Sequence, residues 1–102
     1  GDDFRKLIVT YIDTSQAYID TISDLSEEGH YQKMIDAAHP LKSSSAALGL
    51  VELSEISAEI ERLTDNDDLN EADMSRVKDL SVDIVKSFEE VKSFLLSNLP
   101  TD

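Results

Sequence analysis

The sequence predicts an all-α protein, an antiparallel up-down four-helix bundle. Apolar residues recur at steps of three and four along nearly the whole chain, and no apolar–polar alternation is long enough for a β-strand. The 102 residues include only two prolines and three glycines, so few positions interrupt a helix. A chain of this length with 40% hydrophobic residues suits one small core. We therefore expect a single domain over residues 1–102.

Four apolar stripes at helical spacing place the helices near residues 4–27, 31–48, 52–64 and 71–97. The first stripe consists of Phe4, Ile8, Tyr11, Ser15, Tyr18, Ile22 and Leu25, with Leu7 beside it. The others are Met34, Ala38, Leu41, Ser45 and Leu48; Leu53, Ile56, Ile60 and Leu63; and Val77, Leu80, Ile84, Phe88, Val91 and Leu95. Gly29, Gly49 and Pro100 are expected to end helices, and polar residues 64–70 connect the last two.

Charge and composition exclude several classes of function. The chain carries 22 acidic and nine basic residues, a net charge of −13, which argues against a nucleic-acid partner because such binding uses clustered lysine and arginine. Without cysteine there is no disulfide or thiolate chemistry. No apolar run is long enough to span a membrane. We expect a cytoplasmic, monomeric domain without direct membrane contact, and the absence of an initial Met favours a domain of a longer protein.

The segment AAHPLKSSSAALGL, residues 37–50, contains no carboxylate, although the chain's average would place about three acids there. On a helix, His39 lies away from the core stripe, with Lys42 and Ser43 beside it. A neutral imidazole is a nucleophile near pH 7, and a phosphoryl group placed on Nε2 would be stabilised by the lysine and repelled by acids. The segment therefore predicts a surface that holds a phosphoryl group and admits a second protein.

Small and apolar side chains surround this histidine on the helical wheel. The residues expected to border a partner interface lie within about 40° of His39: they are Ile35, Ser43, Ala46 and Leu50. The other histidine, His30, follows Gly29 and has no metal-binding spacing with His39, so no metal site is expected. Pro40 cannot donate a hydrogen bond to the carbonyl of Asp36, but helix-forming residues on both sides favour a continuous, slightly bent helix.

Residues 39–50, H-P-L-K-S-S-S-A-A-L-G-L, closely resemble the motif of histidine phosphotransfer (Hpt) domains. The resemblance implies that His39 is the phosphoacceptor and that Lys42 stabilises the phosphoryl charge. It implies that Ser43 permits close approach of the partner and that Gly49 ends the helix. Some members have Gln or Glu 22 residues after the histidine, where Glu61 stands here, to bind the imidazole Nδ1. An ordinary solvated carboxylate is an equally open interpretation of Glu61.

The resemblance implies a phosphorelay intermediate in two-component signalling, which accepts a phosphoryl group from a receiver-domain aspartate and passes it to another. No glycine-rich nucleotide loop is present, so we expect no autokinase activity. We expect no bound cofactor, with Mg²⁺ supplied by the receiver. The domain is either free-standing or the cytoplasmic C-terminal part of an inner-membrane hybrid sensor kinase. The alternative is a helical adaptor that docks a signalling partner without chemistry. A carboxylate-bridged metal bundle is excluded, because it needs two inward-facing Glu-x-x-His pairs and His39 has no glutamate three residues before it.

Overall fold

The computed structural model describes residues 2–99, and over this range the chain is an antiparallel four-helix bundle without a β-strand. The helices are α1 (Asp2–Glu28), α2 (Ile35–Ala47), α3 (Val51–Thr64) and α4 (Glu71–Ser97). A short 3₁₀ helix, Tyr31–Met34, connects α1 to α2. Successive helices pack side by side, and α4 returns to pack against α1. The predicted all-α bundle is confirmed.

The predicted helix boundaries agree with the structure except at the start of the second helix. Residues 31–34 form the 3₁₀ turn, and the α-helix begins only at Ile35. Met34 precedes this helix and provides no side-chain cap, and tight 3₁₀ turns are common at such helix starts. The helix is continuous through Pro40, as expected. Pro100, expected to close the last helix, lies outside the described residues.

Two glycines end α1 and α2 by the same hydrogen-bonding motif. Gly29 and Gly49 have φ angles of 77° and 74°, which are left-handed conformations that glycine adopts without steric cost. After α2, the Gly49 amide donates to the carbonyl of Ala46 at 3.0 Å, and the Leu50 amide donates to that of Ser45 at 2.9 Å. This is a Schellman motif, which satisfies the last carbonyls of the helix. Because the turn is this short, α3 begins at Val51 and packs against α2.

The core agrees with the predicted stripes except at the start of α1. Phe4 and Leu7 are 51% and 54% exposed, whereas Ile12 and Ile19, which the stripe omitted, are buried. Ile8, one residue after Leu7, is only 3% exposed, so the covered face of α1 begins there, and Leu7 lies at its edge beside the end of α2. Farther along, α1 packs against both α2 and α4, which widens its buried face to include both isoleucines.

Polar contacts connect neighbouring helices. The hydroxyls of Tyr11 and Ser45 share a buried hydrogen bond of 2.9 Å between α1 and α2. Arg76 of α4 donates two hydrogen bonds of 3.2 Å to the carboxylate of Glu59 on α3. The first contact joins α2 to α1, and the second joins α3 to α4. Between residues 2 and 99, no helix is both long enough and apolar enough to cross a membrane.

Candidate functional site

His39 lies on the solvent-facing side of α2, and its side chain is 63% exposed. Its neighbours Ala38 and Leu41 are fully buried, so the backbone that carries the histidine is anchored directly in the core. Helical geometry then directs the imidazole outward. An exposed ring on a well-packed helix is accessible to another macromolecule without any unfolding of the bundle.

Glu61 of α3 contacts this imidazole. Its Oε1 lies 2.6 Å from His39 Nδ1, and its side chain is only 18% exposed. An ionised carboxylate accepts hydrogen bonds but cannot donate one, so the contact requires a hydrogen on Nδ1. In the neutral ring, Nε2 then carries no hydrogen and keeps its lone pair. The site therefore presents Nε2 as a nucleophile.

Lys42 approaches the other oxygen of the same carboxylate. Its Nζ lies 2.6 Å from Glu61 Oε2, and its side chain is 35% exposed. One carboxylate thus contacts two side chains that stand one turn apart on α2. The pKa of Glu61 is lowered from its ordinary value of 4.5, chiefly by the close contact with the Lys42 ammonium and next by the contact with His39. Glu61 is therefore ionised at neutral pH.

A serine that the sequence analysis did not single out joins the two helices beside the site. Ser54 Oγ of α3 donates a 3.2 Å hydrogen bond to the backbone carbonyl of Lys42. Because Ser54 and Glu61 are seven residues apart, they lie on the same face of α3. From this spacing one could predict that Ser54 faces the same neighbouring helix as Glu61. The acceptor of its hydrogen bond could be identified only from the packing of α3 on α2. The bond fixes α3 against α2 near Lys42.

The four residues predicted to border a partner surround His39 along α2 and just after it. Ser43 and Ala46 are exposed, whereas Ile35 and Leu50 are half-buried. Leu50 belongs to the turn before α3, so its position depends on the Gly49 motif. None of these four side chains carries a charge.

On the side of His39 away from Glu61, α1 and α2 form a shallow groove of about 340 Å³. Pro40, directly after the histidine, lies in this groove. Its other lining residues include Leu7, Thr14 and Tyr18 of α1 and Ser44 of α2. Sequence reasoning did not find this groove, because it depends on the spacing between two helices. Its lining is mostly apolar and includes no charged side chain, so the surface is uncharged on this side of the imidazole.

His30 is separate from this site. It follows Gly29 in the turn after α1, and its Nε2 lies 3.8 Å from an exposed Glu28. Within residues 2–99, no three histidine or acidic side chains are arranged to hold a metal ion. His30 is therefore suited as an internal reference for experiments on His39.

Comparisons with known proteins agree with this geometry. The family model described as Hpt domain matches residues 6–92, which include all of α2 and α3 and most of α1 and α4. No curated protein and no solved structure matches the chain significantly. Domains of this family are helical bundles that carry out histidine phosphotransfer in two-component signalling and interact with receiver domains. With a match over most of its length, the chain belongs to the Hpt domain family.

Proposed function

We propose that this chain is a phosphorelay carrier in which His39 accepts a phosphoryl group from a receiver aspartate and passes it to a second receiver. The observation that carries the proposal is the 2.6 Å contact between His39 Nδ1 and Glu61 Oε1 on an imidazole that is 63% exposed. In the neutral ring this contact leaves Nε2 without a hydrogen, and the exposure leaves it accessible.

In the transfer, the lone pair of His39 Nε2 attacks the phosphorus of the receiver's aspartyl phosphate. A nitrogen–phosphorus bond forms, the bond from phosphorus to the aspartate oxygen breaks, and its electrons leave with the carboxylate. The ring keeps its Nδ1 hydrogen and acquires positive charge, which the Glu61 carboxylate stabilises at close range. The reverse steps deliver the group to the second receiver, so no atom or electron is left over.

The remaining predicted residues have supporting roles in this proposal. Lys42 stands one turn from His39 and supplies a cation that can offset phosphoryl charge. Ser43 and Ala46 present little side-chain bulk, so a receiver can bring its aspartate in line with Nε2. The partner contact extends to Ile35 and Leu50. Mg²⁺ and most of the transition-state stabilisation are supplied by the acidic pocket of the receiver.

Receivers of two-component systems work in the cytoplasm, and we propose the same compartment for this chain. It would act there as a free-standing carrier or as one domain of a hybrid sensor kinase. The uncharged side chains of Ile35, Ser43, Ala46 and Leu50 near His39 support docking of a folded receiver, because a carrier surface with many acids would repel the receiver's acidic pocket.

The test is phosphoryl transfer from receiver domains that have been phosphorylated by a small-molecule phosphodonor in the presence of Mg²⁺. The wild-type chain should acquire one phosphoryl group that is labile in acid and survives mild base, as a phosphoramidate does. His39→Gln should acquire none, although its stability should change by only about 0.5 kcal/mol because the side chain is exposed.

His30→Gln is the matched control and should be labelled like wild type. If His39→Gln accepts phosphate at the wild-type rate, the proposed function is wrong. If the receiver binds wild type and His39→Gln equally and transfers to neither, the chain is a docking adaptor without chemistry.

A further inference from the structure

A groove of about 630 Å³ lies between α1 and α4, and it is larger than the groove beside His39. Because α1 also packs on α2, and α4 also packs on α3, this α1/α4 groove opens on the side of the bundle opposite the α2–α3 surface that carries His39. Helix α4 contributes Lys78, Val82, Val85 and Lys86 to its lining. A protein bound in the groove would therefore leave the imidazole accessible.

The centre of the α1/α4 groove is apolar and accessible. Val82 is 64% exposed, and Val85 is half-buried. Beside them, Ser81 is buried, and its hydroxyl already donates a 2.8 Å hydrogen bond to the carbonyl of Val77. The groove lies within the lengths of α1 and α4, where backbone groups are paired inside each helix. It therefore offers apolar contact without a free backbone edge, which suits an amphipathic helix rather than an extended strand.

The α4 edge of the groove is cationic. Lys78 and Lys86 stand one turn on either side of Val82, about 12 Å apart along the helix. Neither lysine forms an ion pair with a carboxylate of residues 2–99, although the chain carries 22 acidic residues. On the α1 edge, the groove is lined by the acidic Glu27. The best-matched occupant therefore has carboxylates toward α4 and none toward α1.

The acidic side chains in this part of α4 lie on another face of the helix. Asp79 and Asp83 do not line the groove, and both are close enough to Arg76 to stabilise its charge. Arg76 in turn pairs with Glu59 of α3. Charges are screened over about 8 Å at physiological ionic strength, so a ligand in the groove is affected more by its two lysines than by distant acids. The net charge of −13 then does not prevent an acidic segment from binding there.

We propose that the α1/α4 groove binds an acidic amphipathic helix of a partner protein. Apolar side chains of that helix cover Val82 and Val85, and two carboxylates about two turns apart pair with Lys78 and Lys86. A second copy of the chain fits poorly, because a two-fold contact centred on Val82 places Lys78 of one copy against Lys86 of the other. Binding here does not depend on phosphoryl transfer at His39, so the partner can hold the chain while the opposite surface remains free.

The probe is a synthetic helical peptide with two glutamates at the spacing of the two lysines and with leucines between them on the same face. Amide and methyl NMR spectra of the labelled chain report where the peptide binds. Signals of Val82 and Val85 should shift, and those of His39 should stay in place. Lys78→Glu and Lys86→Glu should each weaken binding about threefold, and together about tenfold, as expected for exposed ion pairs.

Two further variants and a second peptide make the result specific. Lys6→Glu makes the same charge change at an exposed position of α1, about 25 Å along the helix from Ser23, and should bind like wild type. Glu27→Gln removes the acid from the α1 edge and should strengthen binding about twofold. A peptide with lysines in place of the glutamates should prefer the chain that carries both Lys78→Glu and Lys86→Glu.

Three outcomes would contradict the proposal. The first is the absence of shifts at Val82 and Val85 with about 1 mM acidic peptide. The second is equal affinity of wild type for the acidic and basic peptides, because the groove would then select apolar surface alone. The third is dimerisation of the isolated chain through Val82, measured by sedimentation, because the occupant would then be a second copy. His39→Gln should bind the peptide like wild type, so failure of the proposed function and failure of this docking site are distinguishable.

Discussion

Glu61 connects two side chains of α2 to α3 with a single carboxylate. Each oxygen has its own partner at 2.6 Å, His39 on Oε1 and Lys42 on Oε2. The carboxylate is 18% exposed, so water competes for it less than for a fully exposed ion pair. At the scale of single residues, this arrangement allows an exposed imidazole to have a defined orientation and tautomer.

The stabilising contacts of the Glu61 carboxylate should appear in the pH dependence of the free energy of unfolding. Because the folded-state pKa of Glu61 lies below its ordinary value of 4.5, its contribution to stability is present above that value. It is lost as the pH falls through the lower folded-state pKa. Comparison of unfolding free energies for wild type and Glu61→Gln, from about pH 7 down to about pH 3, should show a wild-type advantage that shrinks only below about pH 4.5.

The matched control is Glu55→Gln, which removes an exposed carboxylate from the same helix. The difference in unfolding free energy between wild type and Glu55→Gln should show no comparable decrease as the pH falls. A Glu61→Gln difference that stays constant down to about pH 3 would mean that Lys42 and His39 do not stabilise the ionised carboxylate.

The position of the site depends on how α2 is held between its neighbours. The Tyr11–Ser45 hydrogen bond attaches it to α1, and the bond from Ser54 to the carbonyl of Lys42 attaches it to α3. The glycine turn after Ala47 then sets the direction in which α3 begins. Because Glu61 belongs to α3 and His39 to α2, this turn helps to determine whether they meet.

We expect Gly49→Ala to lower the free energy of unfolding by about 1–2 kcal/mol, because a side chain at a φ of 74° is strained. A Cβ at this position would meet no atom within 4 Å, so backbone strain rather than collision is the cause. Urea denaturation measures the change. Gly49→Asn should cost less, because asparagine tolerates this conformation better. Equal stabilities of wild type and Gly49→Ala would show that the turn does not require glycine.

Across the whole molecule, charge is distributed so that one surface differs from the rest. The net charge is −13, but residues 37–50 contain no acid. The helix that carries this segment packs between α1 and α3, whereas α4 packs against those two helices. A receiver that approaches His39 therefore meets a single acidic side chain on α2, Asp36, while the more acidic remaining surface discourages other contacts with an acidic partner.

Ser43→Phe should block this approach. Ser43 is exposed one turn after His39, so a phenyl ring there would separate the receiver's aspartate from Nε2. Displacement of reacting groups by about 1 Å can cost on the order of 100-fold in rate, and we expect transfer to slow by about that much. The free energy of unfolding should change by only about 0.5 kcal/mol. Single-turnover transfer from a phosphorylated receiver provides the measurement.

Ser75→Phe is the control, since it adds the same ring at an exposed position of α4. It should transfer at the wild-type rate. If Ser43→Phe also does so, the receiver docks elsewhere.

The sequence by itself determined the helices, their order and the candidate phosphoacceptor. Apolar spacing and glycine are local signals, and a helix needs only nearby residues to form its hydrogen bonds, so the predicted boundaries were close to the observed ones. The segment around His39 was also recognisable, because its acid-free composition and its His, Lys and Gly spacing are properties of the chain alone.

Only the tertiary structure decided which side chains meet. The sequence left Glu61 open between an orienting residue and a solvated carboxylate, and the packing of α3 on α2 brings it within 2.6 Å of both His39 and Lys42. The same is true of Phe4 and Leu7, which share the apolar spacing of α1 but are more than half exposed, whereas the adjacent Ile8 is buried. The spacing of apolar residues in the sequence predicts which face of a helix is apolar. How far a neighbouring helix covers that face depends on the lengths and pairing of both helices.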